Sequence, residues 1–222
     1  MKACWLNQTN NQNLTVFFAG WSFDENPFKH FDCGNSDVLF VYDYNDLDEV
    51  PEFDFATYEN KTLIGWSMGV FVAFRLRHLF KNFDLKIAVN GTITPVDNEF
   101  GIPIKTFELT LKHAAKGLES KFYKNVFKTD DEFNNYLENP VKRSIENRVS
   151  ELENLYSVIK SEPVEYEKFY DFALVSEFDK IIPPANQKKS HVKNGVQVID
   201  LQSGHFPFYN FNSQNEIIEL CR

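Results

Sequence analysis

The sequence TLIGWSMGV, residues 62–70, contains the pattern Gly-x-Ser-x-Gly with Ser67 at its centre. Residues 62–64 are typical of the end of a buried strand, and residues 70–76 contain no Gly or Pro and can continue as a buried helix. A strand, a sharp turn and a helix form the setting in which this pattern presents a nucleophilic serine. The turn crowds the backbone and favours glycine at both flanking positions, because glycine has no Cβ atom. The stretch therefore predicts a nucleophile, Ser67, on a strand-to-helix turn.

The composition is that of a soluble globular protein. The 222 residues are 43% hydrophobic and 25% charged, with a formal charge of −9, which argues against a general binder of nucleic acid or anionic membranes. No apolar run approaches the ~18 residues of a membrane span, and the first residues lack the apolar region of a signal peptide. Cys4, Cys33 and Cys221 are odd in number and lack the spacing of metal ligands. We therefore predict a cytoplasmic protein with reduced thiols, without a metal or other cofactor and without a nucleic-acid or membrane partner.

Six apolar runs indicate strands of a sheet that is buried on both faces, because they are continuous instead of alternating. They cover residues 14–19, 38–42, 62–64, 85–89, 172–175 and 196–201. Helical patterns are found at residues 68–81, 183–190 and 213–221. Strands that alternate with helices predict an α/β fold with a mostly parallel central sheet flanked by helices.

The segment 104–161 lacks a convincing strand pattern. Two groups of apolar residues recur there at spacings of three and four, and Gly117 offers a point at which the first helix can divide. The first group is Leu111, Ala115, Leu118, Phe122 and Val126, and the second is Ile145, Val149, Leu152, Leu155 and Ile159. These patterns predict a core formed by residues 1–103 and 162–222, with a helical cap inserted at residues 104–161.

A serine nucleophile needs a base, and the base needs an orienting acid. In the α/β-hydrolase fold the three follow in the order serine, acid, histidine, each after the end of a strand. His205 lies directly after the last predicted strand and is the predicted base, whereas the other four histidines are expected to be surface or core residues. Asp179 follows the strand at 172–175 and is the predicted acid, with Glu177 and Asp97 as alternatives.

An oxyanion hole needs two N–H donors. Met68 follows the nucleophile and is predicted to supply one backbone N–H from the start of the helix. The second is predicted to come from Trp21, in the loop after the first central strand, where Gly20 clears space. The loop has Ala19-Gly20 where His-Gly is common, and a purely structural Trp21 is the alternative.

Five segments together resemble the BioG type of α/β-hydrolase, the pimeloyl-(acyl carrier protein) methyl ester esterases of biotin synthesis. They are FFAGWSFD, GWSMGVFVA, NGTITPVDNEFGIP, SEFDKIIPPANQ and SGHFPF, in order between residues 14 and 208. The resemblance implies that Ser67, Asp179 and His205 form a catalytic triad and that Trp21 lines both the oxyanion hole and the substrate site. It also implies acyl carrier protein as the partner that carries the substrate.

The first part of the cap is basic although the chain is acidic. Residues 103–128 contain six lysines against Glu108 and Glu119, a balance of +4 in a chain of net charge −9. An acidic carrier protein suits such a surface, so we predict that it contacts the cap through basic side chains, with a merely solvated helix face as the alternative. The predicted contact residues are Lys112, Lys116, Lys124 and Arg143.

Three other functions remain open from the sequence. The same triad would serve an acyl-carrier-protein or coenzyme A thioesterase, or a general short-chain carboxylesterase. A catalytically inactive hydrolase fold that acts as a binding module is the third, and it predicts a missing triad position, whereas all three positions are filled.

Overall fold

The computed structural model describes residues 1–48, 54–162 and 166–222. Its centre is a seven-stranded sheet in the order β1-β3-β2-β4-β5-β6-β7, in which β1 is antiparallel to β3 and the other pairs are parallel. The predicted α/β-hydrolase class, with its mostly parallel sheet, is confirmed. The strands are Lys2–Asn7 (β1), Asn13–Phe18 (β2), Ser36–Tyr42 (β3), Asn60–Trp66 (β4), Leu85–Val89 (β5), Phe172–Ser176 (β6) and Gln197–Leu201 (β7).

All six predicted strands are present, and β1 is the one that the apolar runs did not reveal. None of its residues is fully buried, since it lies at the edge of the sheet and is paired on one side only, with β3. A strand in this position needs no continuous apolar run, because only part of its surface is covered. Its sequence KACWLN therefore lacks the signal that identified the other strands.

The order of the strands creates a crevice beside β2. The chain leaves β2 to form β3 on one side and then crosses to β4 on the other. In open α/β sheets, ligands bind at the carboxyl ends of the strands where the order reverses in this way. The loops that follow β2 and β4 meet at this point, and they contain Trp21 and Ser67.

Helices cover both the sheet and the crevice beside β2. Met68–Arg75 (α1) follows β4, Pro184–Lys193 (α6) follows β6, and Gln214–Glu219 (α7) follows β7. Between β5 and β6 the described residues form no strand of the sheet. They form the helices Ile104–Gly117 (α2), Tyr123–Val126 (α3), Asp130–Glu138 (α4) and Ile145–Ser161 (α5).

The helices of this segment agree with the predicted cap, although its limits stay a prediction. The predicted core ranges include residues 49–53 and 163–165, which lie outside the described residues. The sequence pattern did not reveal α4. Its signal is the capping box at Thr129, whose hydroxyl accepts from the Glu132 backbone N–H while the Glu132 side chain accepts from the Thr129 backbone N–H.

The predicted apolar stripe of α2 is wrong at Ala115, which is exposed, whereas Ala114 is buried. The helix ends at Gly117, and a wider π-helical turn, Leu118–Phe122, leads into α3. A π turn adds a residue to the repeat and changes which face points inward. The buried residues are Phe107 and Ala114 along α2 and Tyr123 and Val126 in α3, so one regular stripe does not describe both halves.

Candidate active site

Ser67 lies at the turn between β4 and α1 in a strained backbone conformation. Its φ is 55° and its ψ is −122°, a region that a non-glycine residue occupies only when its surroundings hold it there. The Ser67 N–H donates to the Val89 carbonyl at 2.9 Å. A Cβ atom at Gly69 would lie 2.2 Å from the carbonyl oxygen of Phe18, and one at Gly91 would lie 2.3 Å from that of Ser67. The turn is therefore enclosed so closely that these two positions admit only glycine.

The structure brings Ser67, His205 and Asp179 together in one chain of hydrogen bonds. The Ser67 hydroxyl lies 2.8 Å from His205 Nε2, and His205 Nδ1 lies 2.8 Å from an Asp179 carboxylate oxygen. All three residues are buried, with exposed fractions of 6% for Ser67, 2% for His205 and 7% for Asp179. Since the carboxylate accepts from Nδ1–H, Nε2 is left free to accept the serine proton.

Asp179 is held by several donors besides the histidine. One carboxylate oxygen accepts from the backbone N–H groups of Ile181 and Ile182 at 2.8 and 2.9 Å. The other accepts from His205 and from the amide of Gln187, at 2.8 Å each. Four donors fix the carboxylate in the plane that orients the imidazole.

The alternative acids have other surroundings. Glu177 is exposed to solvent. The Asp97 carboxylate accepts from the backbone N–H groups of Glu99 and Phe100, at 2.7 and 2.9 Å, and so caps its own loop.

The loop that contains His205 is fixed by two side chains to which the sequence analysis gave no role in chemistry. The Trp66 indole N–H donates to the His205 carbonyl at 2.8 Å. The Asn90 amide reaches the same carbonyl at 3.0 Å and that of Gly204 at 3.1 Å, while its own oxygen accepts from the Ser176 N–H at 2.7 Å. Asn90 thus ties the loop of the base to the end of β6, which precedes the acid. A buried asparagine directly after a strand is the sequence signal for such a role.

The predicted oxyanion donors face the same space as Ser67. Gly20, Trp21, Met68 and His205 all line one cavity with the serine. Met68 is the first residue of α1, where a helix leaves its N–H groups without an intrahelical acceptor. Neither the Met68 nor the Trp21 backbone N–H has a hydrogen-bond acceptor in the part of the chain that the structure describes. The roles of both donors stay a prediction.

The cavity has a volume of about 390 Å³ and lies between α2 and the turn at Ser67. This falls within the ~300–1,000 Å³ of small-molecule sites. Its walls are mainly apolar, and polar side chains, including His113, Lys121 and Lys180, are found around them. Leu109, which is 59% exposed, extends the apolar surface to the outside.

The predicted carrier-binding residues fall into two groups. Lys112, Lys116 and Lys124 are exposed, and Lys124 has only a long ion pair, 3.8 Å, with Asp130. The side chain of Arg143, in contrast, is 7% exposed and is surrounded by carboxylates. It therefore faces the interior and is not available to an incoming partner. The carboxylate partners of the Arg143 guanidinium are Asp43 at 3.1 Å and Glu151 at 2.9 Å.

His191 is the other fully buried histidine. Its Nε2 lies 2.8 Å from the Gly91 carbonyl, to which it donates as the neutral tautomer. Burial lowers the pKa of His191 from 6.5 to about 4, and the hydrogen bond to Gly91 opposes this only in part. His191 thus binds Gly91, which packs against the Ser67 carbonyl, and no described hydrogen bond joins His191 to the serine side chain.

The described residues contain no group of side chains arranged to hold a metal ion, and no helix among them is long and apolar enough to cross a membrane. The thiols of Cys4, Cys33 and Cys221 are free. Burial is the main reason why the pKa of Cys33 is raised to about 11, and the negative charge of Asp32 also raises it. Cys33 therefore stays a protonated and unreactive thiol at neutral pH.

A mostly parallel sheet with a strained serine between strand and helix, hydrogen-bonded to a histidine and an aspartate, defines an α/β-hydrolase. A model of the family described as Pimeloyl-ACP methyl esterase BioG matches residues 1–217. The chain belongs to this family, as the resemblance predicted, and the family is one of carboxylic ester hydrolases.

Two curated relatives and one solved structure illustrate the similarity. A Malonyl-(acyl-carrier protein) O-methyltransferase of Bacteroides fragilis is 34% identical over 86% of this chain, which spans only 39% of that protein's length. An uncharacterized protein of Haemophilus influenzae is 32% identical, over 90% of this chain and 91% of its own length. The crystal structure of BioG from Haemophilus influenzae has a TM-score of 0.85 and 29% identity, and the match covers 97% of this chain and 99% of the other.

Proposed function

We propose that this protein is a serine esterase that hydrolyses the methyl ester of a pimeloyl chain carried by acyl carrier protein, releasing methanol. The observation that carries the proposal is the hydrogen-bonded series Ser67, His205 and Asp179 at the base of a mainly apolar cavity. A polar series of this kind, buried at the end of a β-strand, is what acyl transfer to serine requires.

In the proposed mechanism the Ser67 oxygen attacks the ester carbonyl while its proton moves to His205 Nε2. The negative charge that develops on the carbonyl oxygen accepts hydrogen bonds from the backbone N–H groups of Met68 and Trp21. As the tetrahedral intermediate collapses, His205 gives its proton to the departing methanol and an acyl-serine is left. Water then attacks the acyl-serine by the same route and regenerates Ser67. Asp179 stays hydrogen-bonded to Nδ1 throughout and stabilises the imidazolium.

The cavity suits a chain of methylene groups. Phe107, Leu118 and Leu152 line it, and each CH₂ group that leaves water gains about 0.8 kcal/mol. The family description names a pimeloyl ester, whose chain is of this kind. In addition, a relative of this chain is named as a methyltransferase that acts on malonyl-acyl carrier protein, and such a step forms the type of ester that the proposed reaction removes.

The exposed lysines of the cap support the carrier protein as partner. Lys112 and Lys116 are four residues apart on α2 and so lie on the same face, next to Leu109 at the opening of the cavity. An acidic carrier attracted to this face would deliver its acyl chain beside the opening. Arg143 has no part in this proposal because its side chain is buried.

The test is a product assay with methyl-pimeloyl carrier protein. The proposal predicts methanol and an intact thioester, together with loss of activity of about 10⁴-fold or more in Ser67→Ala, which lacks the nucleophile. Release of free carrier thiol with no methanol would show a thioesterase instead. Equal activity of Ser67→Ala would exclude the serine mechanism, and labelling of the unmodified protein by a fluorophosphonate would contradict an inactive binding module.

A further inference from the structure

The loop after β2 is held by the cap and not by the sheet alone. Ser22 in this loop has a φ of 73°, a conformation that a residue with a side chain rarely adopts. Both of its polar groups contact cap residues. The Ser22 N–H donates to the Glu151 carboxylate at 3.0 Å, and its hydroxyl lies 3.0 Å from that of Tyr123. Such a strained conformation persists only where its surroundings define it from several sides.

Glu151 lies in α5, and its side chain is fully buried. Its second oxygen accepts, at 2.8 Å, from the backbone N–H of Tyr44 in the loop after β3. Burial raises the pKa of Glu151, while the charge of Arg143 and the two N–H donors oppose that effect. Burying a carboxylate costs free energy, and here the cost is offset by hydrogen bonds to two loops that meet at the crevice beside β2.

From this geometry we propose that Glu151 is a positioning residue of the ester hydrolysis, which fixes the loop after β2 so that the Trp21 N–H faces the developing oxyanion. The inference rests on the proposed function, since it assumes the oxyanion hole. Trp21 directly precedes Ser22, and its indole N–H also donates to α5, to the Arg148 carbonyl at 2.7 Å. The cap thus completes the catalytic machinery besides covering the substrate.

Glu151→Leu tests the idea with little change of volume. Glutamine would not test it, because Arg143 lies 2.9 Å from the oxygen that accepts from Ser22 and would keep the amide oxygen there. Leucine has no acceptor, so the backbone N–H groups of Ser22 and Tyr44 both lose theirs. Hydrolysis of 4-nitrophenyl butyrate, a small ester that needs no carrier protein, should show a kcat lower by about 10- to 100-fold with KM within about twofold.

A second readout separates positioning from a general loss of structure. An alkyl trifluoromethyl ketone forms a tetrahedral adduct with an active serine and needs the same oxyanion donors. Its affinity for Glu151→Leu should fall by the same factor as kcat/KM.

Asp37→Leu is the matched control. Asp37 is also a fully buried carboxylate that accepts a backbone N–H, from Thr9 at 2.8 Å, together with the Tyr58 hydroxyl at 3.0 Å. It lies near the amino end of β3, whereas the site lies at the carboxyl ends of the strands. This variant should lose stability but keep kcat and the affinity for the ketone within about twofold.

If Glu151→Leu does not fold, Glu151→Leu with Arg143→Met also removes the buried cation that has lost one of its two carboxylate partners, and it gives the same kinetic test. A folded variant of either kind with the kcat of the unmodified protein would overturn the inference alone. Equal losses in Asp37→Leu would also overturn it, because they would reveal a general effect of stability. Absence of ester hydrolysis in the unmodified protein would overturn the proposed function together with the inference.

Discussion

Ser67 combines chemistry with a backbone conformation that the neighbouring atoms enforce. The glycines that flank it are required because a Cβ atom at either position would collide with particular neighbouring atoms, and not because the chain must be flexible there. Gly69 packs against the carbonyl groups of Phe18 and Ala19, at the end of β2. The contact brings the nucleophile beside the loop that contains Trp21, so the same glycine serves the fold and the site.

Replacement of Gly69 by alanine should be severely destabilising. The added Cβ would lie 2.2 Å from the Phe18 carbonyl oxygen, so either β2 or α1 must move, at a cost of about 3 kcal/mol or more. Urea unfolding measures this loss. The control is Gly117→Ala, where no atom lies within 4 Å of the new Cβ, and which should be neutral or stabilising by up to about 1 kcal/mol. Similar losses in both variants would contradict the steric explanation.

His191 predicts a pH dependence of stability. Its folded pKa of about 4 lies below the ordinary 6.5, so between these values the unfolded chain binds a proton that the folded chain excludes. The contribution to the free energy of unfolding is fully present above pH 6.5, and about 3 kcal/mol is lost as the pH falls to 4.

The variant His191→Gln isolates this contribution, because glutamine can donate to the Gly91 carbonyl but does not titrate. Unfolding free energies at pH 7.0 and 4.5 should differ less in the variant than in the unmodified protein. The same difference in both would show that other groups cause the acid sensitivity.

The residues of the candidate triad were predictable, because residue type, order along the chain and position after a strand are all local features. Their supports were not. Asn90 contacts His205 across 115 positions, and Glu151 contacts Ser22 across 129. No pattern in a single sequence pairs residues at such separations. Arg143 was misjudged for the same reason, because the two carboxylates that bury it belong to other elements.

Among the elements, α2 shows how far helical periodicity predicts a surface. The predicted stripe placed Leu111 correctly on the partly buried side but failed at Ala115, and the lysines of α2 are exposed. The π turn at Leu118–Phe122 was not predicted, because the spacing of apolar residues does not mark where the helical repeat widens. Similarly, β1 was missed because an edge strand needs little apolar sequence.

The lysine face of α2 predicts a defect that depends on the substrate. Lys112→Glu with Lys116→Glu should lower kcat/KM for methyl-pimeloyl carrier protein by about tenfold or more, because both charges would then repel an acidic partner. Hydrolysis of 4-nitrophenyl butyrate should change by less than twofold.

A control with the same change of charge is Lys81→Glu with Lys168→Glu. These exposed lysines precede β5 and β6 and so lie toward the amino-terminal edge of the sheet, away from the cavity. Equal effects of the two pairs on the carrier-linked substrate would indicate that only net charge matters.

The molecule as a whole is acidic, yet its cap carries an exposed basic surface. The net charge of −9 would repel an acidic carrier protein over long distances, whereas the lysines of the cap attract it nearby. In the proposed function, the placement of the positive charges would direct an acidic carrier protein to a face where the cavity opens.

Association with the carrier protein should consequently weaken with salt. Between about 0.05 and 0.5 M sodium chloride the screening length falls from roughly 14 to 4 Å, so kcat/KM for the carrier-linked substrate should fall several-fold. The rate with 4-nitrophenyl butyrate serves as the internal control and should stay nearly constant. A parallel decline of both rates would point to an effect of salt on the enzyme itself.

The fold class, the strands of the sheet interior, the helical character of the cap and the candidate nucleophile, base and acid all followed from local patterns. Burial on two faces requires continuous apolar runs, and a nucleophile on a sharp turn requires glycine. The tertiary structure added the partners of each charge, the residues that hold the catalytic loops and the contact through which Glu151 reaches the loop after β2. These features depend on which distant segments meet when the chain packs, and that information lies in three-dimensional contacts and not in the spacing of residues along the chain.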